Sequence, residues 1–453
     1  MIDNDFLFII AFYAEICFNI QKKGVVDMIK ILSAIFALIM ALLPSSGTEE
    51  RRCDPVYNGT FIQSWMSSYW DDGRWAEEVE NMQNAGIEYL IIQDTANLSS
   101  DGTWQIYYPS ELEVFSGTEC YSDVIESALN ACDGSDIKVF VGLAMFDDWW
   151  VQSAITGTYN QVCSVMADMA EEISEKYEGV YGFYFTPEIN NMPTMKLSSG
   201  NIIEGLNTLI EKIPEDKPLI LSPYYTEYIS VPFVLSAESL WVKIINKVNF
   251  RDGDIIAPQD AVGAGWIQEN DLEKIWKMYR TAVDTADKDI KLWANCENFT
   301  LARGKSIISG IFVPPATLNV NSVPCTIDRF ANQLDIASEY CDNIITFSYN
   351  HYHSPSYVNP AFEKTYLDYI ENGFTVENEK PSVPQNLTSA DGVLSWDGSE
   401  DNIGISHYII YKDNKAVAFV EETSAHEFNF TQDGKYSIEA VDAAGNVSER
   451  GYF

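Results

Sequence analysis

Eight short apolar runs alternate with eight amphipathic stretches between Tyr57 and about Asn372, and that alternation restricts the chain more than any other feature. A short apolar run bounded by polar residues reads as a strand buried on both faces, and an apolar stripe of period 3.6 reads as a helix laid over it. In series the two make βα units around a parallel sheet. The predicted strands are Gly59–Gln63, Ile87–Gln93, Ile137–Leu143, Val180–Phe185, Pro218–Ser222, Asp254–Ala257, Ile290–Ala294 and Asn343–Phe347. The predicted helices lie around Trp75–Ala85, Ser122–Ala131, Tyr159–Tyr177, Ile202–Ile213, Ala237–Lys247, Leu272–Ala286, Ile327–Tyr340 and Pro360–Glu371. Eight such units fit a (β/α)8 TIM barrel. A doubly wound open sheet is the alternative, but no glycine-rich phosphate turn follows any strand.

Function in a barrel collects at the carboxyl ends of the strands. Those ends carry Gln63 and Trp65; Gln93 and Asp94; Asp147, Asp148, Trp149 and Trp150; Glu188 and Asn190; Ser222, Tyr224 and Tyr225; Gln259 and Asp260; Trp293, Asn295 and Glu297; and Tyr349, His351 and His353. Carboxylates and amides hydrogen-bond sugar hydroxyls while aromatic rings stack on sugar faces. A phosphate site would instead show Lys, Arg and Gly. Two stretches stand out: YGFYFTPEINN (Tyr181–Asn191) is an apolar strand that breaks at Pro187 and delivers Glu188, and KLWANCENF (Lys291–Phe299) delivers Glu297.

Glycoside hydrolysis needs one carboxylic acid to protonate the leaving oxygen and one carboxylate at the anomeric carbon. Glu188 and Glu297 are the candidate catalytic pair, with Phe183, Tyr184 and Phe185 expected to desolvate Glu188 and raise its pKa. Gln63, Trp65, Gln93, Asp94, Asn190, Tyr224, Gln259, Asp260, Trp293, Asn295 and Tyr349 are the candidate substrate-binding residues. Duller roles compete. Asp147 and Asp148 could cap a helix or loop, Gln259 and Asp260 could satisfy loop amides, and Trp149 and Trp150 could be a loop's own cover. Asp260 paired with either glutamate is a second acid pair, and both glutamates as solvated loop residues is the inert alternative. His351 and His353 lack a third ligand nearby, so neither metal nor cofactor is expected.

Composition bounds the partners. With 46% hydrophobic and 21% charged residues, and Trp 11, Tyr 25 and Phe 23, the chain builds a large core. Its formal net charge of -39 argues against nucleic acid and anionic membranes, which need clustered Lys and Arg. A carbohydrate is the expected partner. Residues 1–50 read as a secretory signal region: Lys30, the apolar run Ile31–Leu43, then Ser45, Ser46 and Gly47, with Met28 as the expected start. The expected protein is exported, to the medium or the cell surface, and its mature chain is not inserted in a membrane. Cys53, Cys120, Cys132, Cys163, Cys296, Cys325 and Cys341 follow the signal. No two form a CxxC pair, so zinc is not supported, and the odd number leaves at least one thiol unpaired.

The barrel is expected over 51–376, a polar linker, ENEKPSVP, over 377–384, and an all-β sandwich over 385–453, where VLSW, HYIIYKD, AVAFV and YSIEAVD alternate. That stretch, PSVPQNLT…LSWDGSEDNIGISHYIIYKD…GKYSIEAVDAAGNVSE, resembles bacterial fibronectin type III modules, with Trp396 as core tryptophan and Tyr436 opening the penultimate strand. The module is expected to fold around its own core, separately from the barrel.

A glutamate after strand four and another after strand seven resemble the large clan of retaining glycoside hydrolases built on (β/α)8 barrels. The resemblance implies that Glu188 is the acid/base and Glu297 the nucleophile, although this chain has Pro187 where the clan has Asn before its acid/base. More closely, GTFIQSW, DIIAPQDAVG and LWANCENF look like a family of bacterial secreted barrels carried as a domain of unknown function. The function expected is a secreted glycoside hydrolase acting on oligo- or polysaccharides by double displacement. The alternative is a non-catalytic glycan-binding or cell-surface protein on an inactive barrel. A hydrolase of another bond lacks its motif, since no Gly-x-Ser-x-Gly turn appears.

Overall fold

The computed structural model describes residues 51–147, 149–152, 156–225, 236–300, 322–373, 377–430 and 434–453. The signal-like region 1–50 and Asp148 therefore lie outside the described residues. Eight parallel strands close into a barrel in the order β1-β8-β7-β6-β5-β4-β3-β2. They are β1 (Gly59–Ile62), β2 (Tyr89–Ile92), β3 (Lys138–Gly142), β4 (Val180–Phe185), β5 (Leu219–Leu221), β6 (Ile255–Ile256), β7 (Lys291–Glu297) and β8 (Asn343–Phe347).

The period of two decides which side chains meet. Phe61, Ile91, Phe140, Tyr184, Ile220, Ile255, Trp293 and Ile345 point inward and fill the shaft. Their neighbours Ile62, Leu90, Ile92, Val141, Phe183, Phe185, Leu219, Leu221, Ile256, Leu292 and Ile344 point outward into the larger core beneath the helices. Each strand is buried on both faces, which is why each reads as a nearly unbroken apolar run. Gly182 lies on the inward side, where a Cβ would stand 2.5 Å from the Phe140 ring, so only glycine leaves room for that ring.

Eight helices cover the barrel: α1 (Asp72–Asn84), α2 (Val124–Cys132), α3 (Thr156–Lys176), α4 (Pro193–Ile210), α5 (Ala237–Ile245), α6 (Leu272–Val283), α7 (Ile327–Tyr340) and α8 (Ala361–Asn372). Asp71, Asp123 and Ser236 cap α1, α2 and α5 by accepting the backbone N–H three residues on, at 2.8, 3.0 and 3.1 Å. α4 starts nine residues before its predicted position, with Pro193 in its first turn, because PTMKLSSGN has no apolar period to announce it. Buried Glu78 on α1 joins the first βα unit to the segment after β8, accepting from Asn350 Nδ2 at 2.6 Å and Ser354 Oγ at 2.7 Å and pairing with Arg74.

A three-stranded sheet, absent from the predicted elements, is built from two strands of the loop after β2 and one that follows β3. It pairs Ala96–Leu98 with Trp104–Ile106 and Ala144–Phe146. Runs of three residues are too short to display a period.

Residues 385–453 form two antiparallel sheets. One joins β9 (Gln385–Ala390), β10 (Val393–Asp397) and β13 (Glu427–Asn429); the other joins β11 (Ile405–Lys412), β12 (Lys415–Glu421), β14 (Tyr436–Asp442) and β15 (Gly451–Tyr452). Trp396 sits in their common core, 5.5 Å from the Tyr408 ring, and Tyr436 opens β14. A second, smaller cluster of Val358, Ala361, Phe362, Ile403 and Ala443 joins this module to the barrel.

Among the described residues no helix is long and apolar enough to cross a membrane.

Candidate active site

A cavity of about 320 Å³ opens at the carboxyl end of the barrel. Its polar wall comprises Gln93, Glu188, Ser222, Tyr224, Gln259, Asn295 and Glu297; its apolar wall includes Phe61, Tyr184, Trp266, Phe299 and Phe347. The parallel ladder continues past β4, β5 and β6 through bridges Asn190–Tyr224, Tyr224–Gln259 and Gln259–Asn295, the last on a residue within β7, so four consecutive strands place one residue each on a single level.

Glu188 stands just past β4 in a tight turn, where Ile189 N–H reaches Pro187 O at 3.0 Å. Its Oε1 accepts from Gln259 Nε2 at 3.1 Å, and the same amide nitrogen donates to Ser222 O at 3.2 Å. Burial raises its pKa, and the Gln259 hydrogen bond partly offsets that. Tyr184 supplies the expected aromatic wall. Phe183 and Phe185 do not, because strand parity turns them outward toward the helices.

Glu297 is the last residue of β7, in register with Phe347 of β8. β7 extends three residues beyond its predicted end. Its carboxyl is buried, and Oε2 accepts the Ala264 N–H at 2.6 Å. That contact requires the β6 loop to come very close. A Cβ on Gly263 would lie 2.3 Å from Phe299 O and 3.0 Å from Glu297 Oε2, so the position admits only glycine without a shift. Burial first, and the neighbouring Asp260 second, push the Glu297 carboxyl up to about 8; Glu188 adds in the same direction, while the Ala264 N–H and Arg329 oppose.

Asp260 lies behind the cavity wall and holds Glu297 from the back. Its Oδ1 accepts the Glu297 N–H and the Val262 N–H, both at 3.2 Å, and its Oδ2 accepts from Gln333 Nε2. It does not touch the cavity, which corrects its assignment as a substrate ligand and leaves it a positioning role.

Of the remaining candidates, Gln93, Tyr224, Gln259 and Asn295 line the cavity. Gln93 Oε1 and Asn295 Oδ1 are buried there without a hydrogen-bond partner, while Asn295 Nδ2 donates to Ser222 Oγ at 3.0 Å. The Tyr224 hydroxyl keeps its proton, its pKa raised by burial and by Glu188.

Other assignments fail on geometry. Trp293 points inward but sits one inward position below Asn295, in the packed shaft 4.8 Å from the Tyr89 ring, and is outside the cavity wall. Tyr349 is buried toward α8, where its hydroxyl meets Glu363 and its N–H meets Thr60 Oγ1 at 2.8 Å. Asn190 folds onto its own loop, bonding Glu188 O at 3.3 Å and Met192 N at 3.0 Å. Gln63 is outside the cavity wall and precedes a short helix, Ser64–Ser67.

Trp65 is likewise outside the cavity wall and 56% exposed, its ring 6.1 Å from His351, which in turn lies 6.3 Å from Phe347. Asp94 follows Gln93 but, like Gln63, is outside the cavity wall; its backbone oxygen accepts from Ser64 Oγ, and burial pushes its carboxyl up to about 7. Asp147 accepts the Ser100 N–H at 3.1 Å, the loop-capping role that competed with a functional one. Trp149 packs half-buried on the core. Burial lowers His351 to about 4 and His353 to about 3, and His353 Nδ1 pairs with the Tyr57 hydroxyl at 2.9 Å. Among the described residues no cluster of His, Cys, Asp and Glu is arranged to hold a metal ion.

The residues missed were Phe61, Phe347, Phe299 and Trp266. The first is the penultimate residue of β1 and the second the last of β8, both on the inward side, so strand parity could have found them. Trp266 follows Gly263-Ala264-Gly265, a turn whose only signal is its glycines.

The profile of a family described as Domain of unknown function (DUF4434) matches residues 57–359. Among solved structures, a protein from Bacteroides thetaiotaomicron VPI-5482, provisionally designated an alpha-L-fucosidase, is similar with a TM-score of 0.53 and 18% identity, covering 71% of this chain and 97% of that one. At that identity the likeness shows the barrel fold alone. Among curated proteins, chitinase Chi52 of Paenibacillus xylanexedens is 36% identical over 81 residues, 16% of each chain. Chitinase A1 of Niallia circulans is 34% identical over 79 residues, 16% of this chain and 11% of that protein. The chain thus spans about a sixth or less of the length of the curated relatives it matches.

Proposed function

We propose that this chain, which belongs to the DUF4434 family of domains of unknown function, hydrolyses glycosidic bonds with Glu188 and Glu297 as its carboxyl pair. The observation that carries the reading is that both glutamates line one cavity with aromatic rings and two unpartnered amide oxygens, Gln93 Oε1 and Asn295 Oδ1. Buried acceptors without partners call for donors from outside, and sugar hydroxyls are such donors. Tyr184, Phe347 and Trp266 offer the apolar faces on which a pyranose ring stacks. The partial likeness to two chitinases and the provisional designation of the barrel neighbour are in keeping with a carbohydrate substrate.

In this reading Glu188 protonates the leaving oxygen, helped by burial that keeps its proton on. Glu297 then attacks the anomeric carbon, held by the Ala264 N–H, and Glu188 returns as base to activate water. Attack requires Glu297 to be ionised. Its value of about 8 gives a limb that climbs with pH through the neutral range for as long as Glu188 keeps its proton. That same raised value favours a second reading, in which Glu297 is the proton donor and the rate falls above about pH 8.

The test is turnover of a panel of 4-nitrophenyl glycosides and oligosaccharides by wild type, Glu188→Gln and Glu297→Gln. Each variant is expected to lose about a hundredfold or more in kcat, and proton NMR of fresh product should find the starting anomer retained. The pH limb separates the two assignments of Glu297. Binding without turnover by wild type would replace the hydrolase by the glycan-binding protein.

A further inference from the structure

We propose that the C-terminal module is a working part of the site, clamping the start of α7 so that α7 can hold Glu297; this rests on the hydrolase reading above. α7 lacks a side-chain cap of its own, since Thr326 makes no capping hydrogen bond. The first N–H groups of a helix have no partner within it. Here the first of them, Ile327 N–H, donates to Ala443 O of the module at 3.2 Å. Gly445 presses on the same turn. A Cβ there would come 3.2 Å from Thr326 Cγ2 and 3.3 Å from Asp328 Oδ1, and its φ of +96° also favours glycine. The apolar seam of Val358, Ala361, Phe362, Ile403 and Ala443 backs this contact, and Asn359 Nδ2 adds a hydrogen bond to Ile405 O at 3.0 Å.

The clamped helix reaches the catalytic strand within two turns. Arg329 Nη2 donates to Glu297 O at 3.1 Å and Phe299 O at 2.6 Å. Gln333 Nε2 donates to Glu297 O at 3.2 Å and also holds Asp260 Oδ2, whose other oxygen accepts the Glu297 N–H. Both sides of the Glu297 peptide are therefore gripped through α7, and Arg329 and Gln333 are positioning residues.

A second path runs beside the first. Phe299, on the cavity wall, stacks on Tyr352 with centroids 5.3 Å apart, and Tyr352 Oη meets Ser322 Oγ at 2.6 Å. Phe299–Thr300 pairs with Val323–Pro324, and that strand packs on β11 and β12 of the module. A local shift of about an ångström at a reacting group can cost about a hundredfold in rate, so a grip of this kind matters to kcat.

The test uses the full chain with Ala443→Asp, which puts a charge into the seam, and separately Gly445→Val, which wedges the first turn of α7. Exposed Tyr452→Ala, on the far strand of the module, is the control. Amide hydrogen exchange should quicken over 326–329 and over 295–299 in both seam variants. On an aryl glycoside turned over by wild type, kcat should fall about tenfold or more while KM moves less than about twofold. Release of 326–329 with wild-type exchange at 295–299 and wild-type kcat overturns the clamp. Unchanged exchange at 326–329 in both variants also overturns it, because the module would then not be what caps the helix. If wild type cleaves no aryl glycoside, the hydrolase reading fails while the exchange data still judge the clamp.

Discussion

Replacing Glu297 by Gln should change how the stability of the barrel depends on pH. The ordinary value of this carboxyl is 4.5 and burial beside Asp260 pushes it up to about 8 in the folded chain. Between those two values the folded state keeps a proton that the unfolded state has released. Stability is therefore full below about pH 4.5 and is lost as pH rises through 8. Each pH unit inside the window costs about 1.4 kcal/mol. From pH 5.5 to 8 the loss attributable to Glu297 is thus about 3 kcal/mol. Glutamine is nearly isosteric with the protonated acid and can still accept the Ala264 N–H, so at pH 5.5 the variant should differ little. Urea unfolding followed by tryptophan fluorescence at several pH values measures the difference. The variant should gain on wild type as pH rises, by about 3 kcal/mol at pH 8. Parallel curves, agreeing to within about 1 kcal/mol across the window, would refute the buried setting of Glu297 beside Asp260.

Two further outcomes are expected. Gly263→Ala forces the β6 loop off Glu297, so Tm should fall by about 2–6 °C with a loss of turnover; a Tm unchanged within a degree or so would mean the loop yields freely. Export is the other. We propose that the apolar run Ile31–Leu43 is a cleaved signal, so N-terminal sequencing of exported protein should begin near residues 45–50, and a mature chain that retains residues 1–27 refutes it.

The barrel strands were legible to within a residue or two at most ends because both faces of each are buried, which leaves an apolar run with sharp polar borders. β7 is the instructive exception. Its last residues, Asn295, Cys296 and Glu297, continue the ladder although two of them are polar, because inward-facing positions at the mouth border a cavity instead of packed rings. The site was legible in kind but not in depth. Trp293, Asn295 and Glu297 share the inward face of β7 by parity, yet parity says nothing of height, and Trp293 belongs to the packed floor. Tyr349 was misplaced for a different reason: the short helix Tyr349–Tyr352 follows β8 and turns the side chain out of the strand's register. The supports of Glu297, Arg329 and Gln333, lie on a helix remote in sequence from the strand they hold, and no local pattern marks such a partnership.

The level formed by Asn190, Tyr224, Gln259 and Asn295 has a consequence for how sequences of this kind can vary. Four strands deliver their residues to one height only because the number of residues between barrel and mouth is set on each. Adding or removing one residue on that stretch turns the following side chains to the opposite face and lifts or lowers them by about 3.3 Å. Insertions in functional variants should therefore accumulate beyond the level or on the helix side of the barrel. The segments joining β4, β5 and β6 to it, and the stretch of β7 that runs into it, should keep their length even where their residue types change freely.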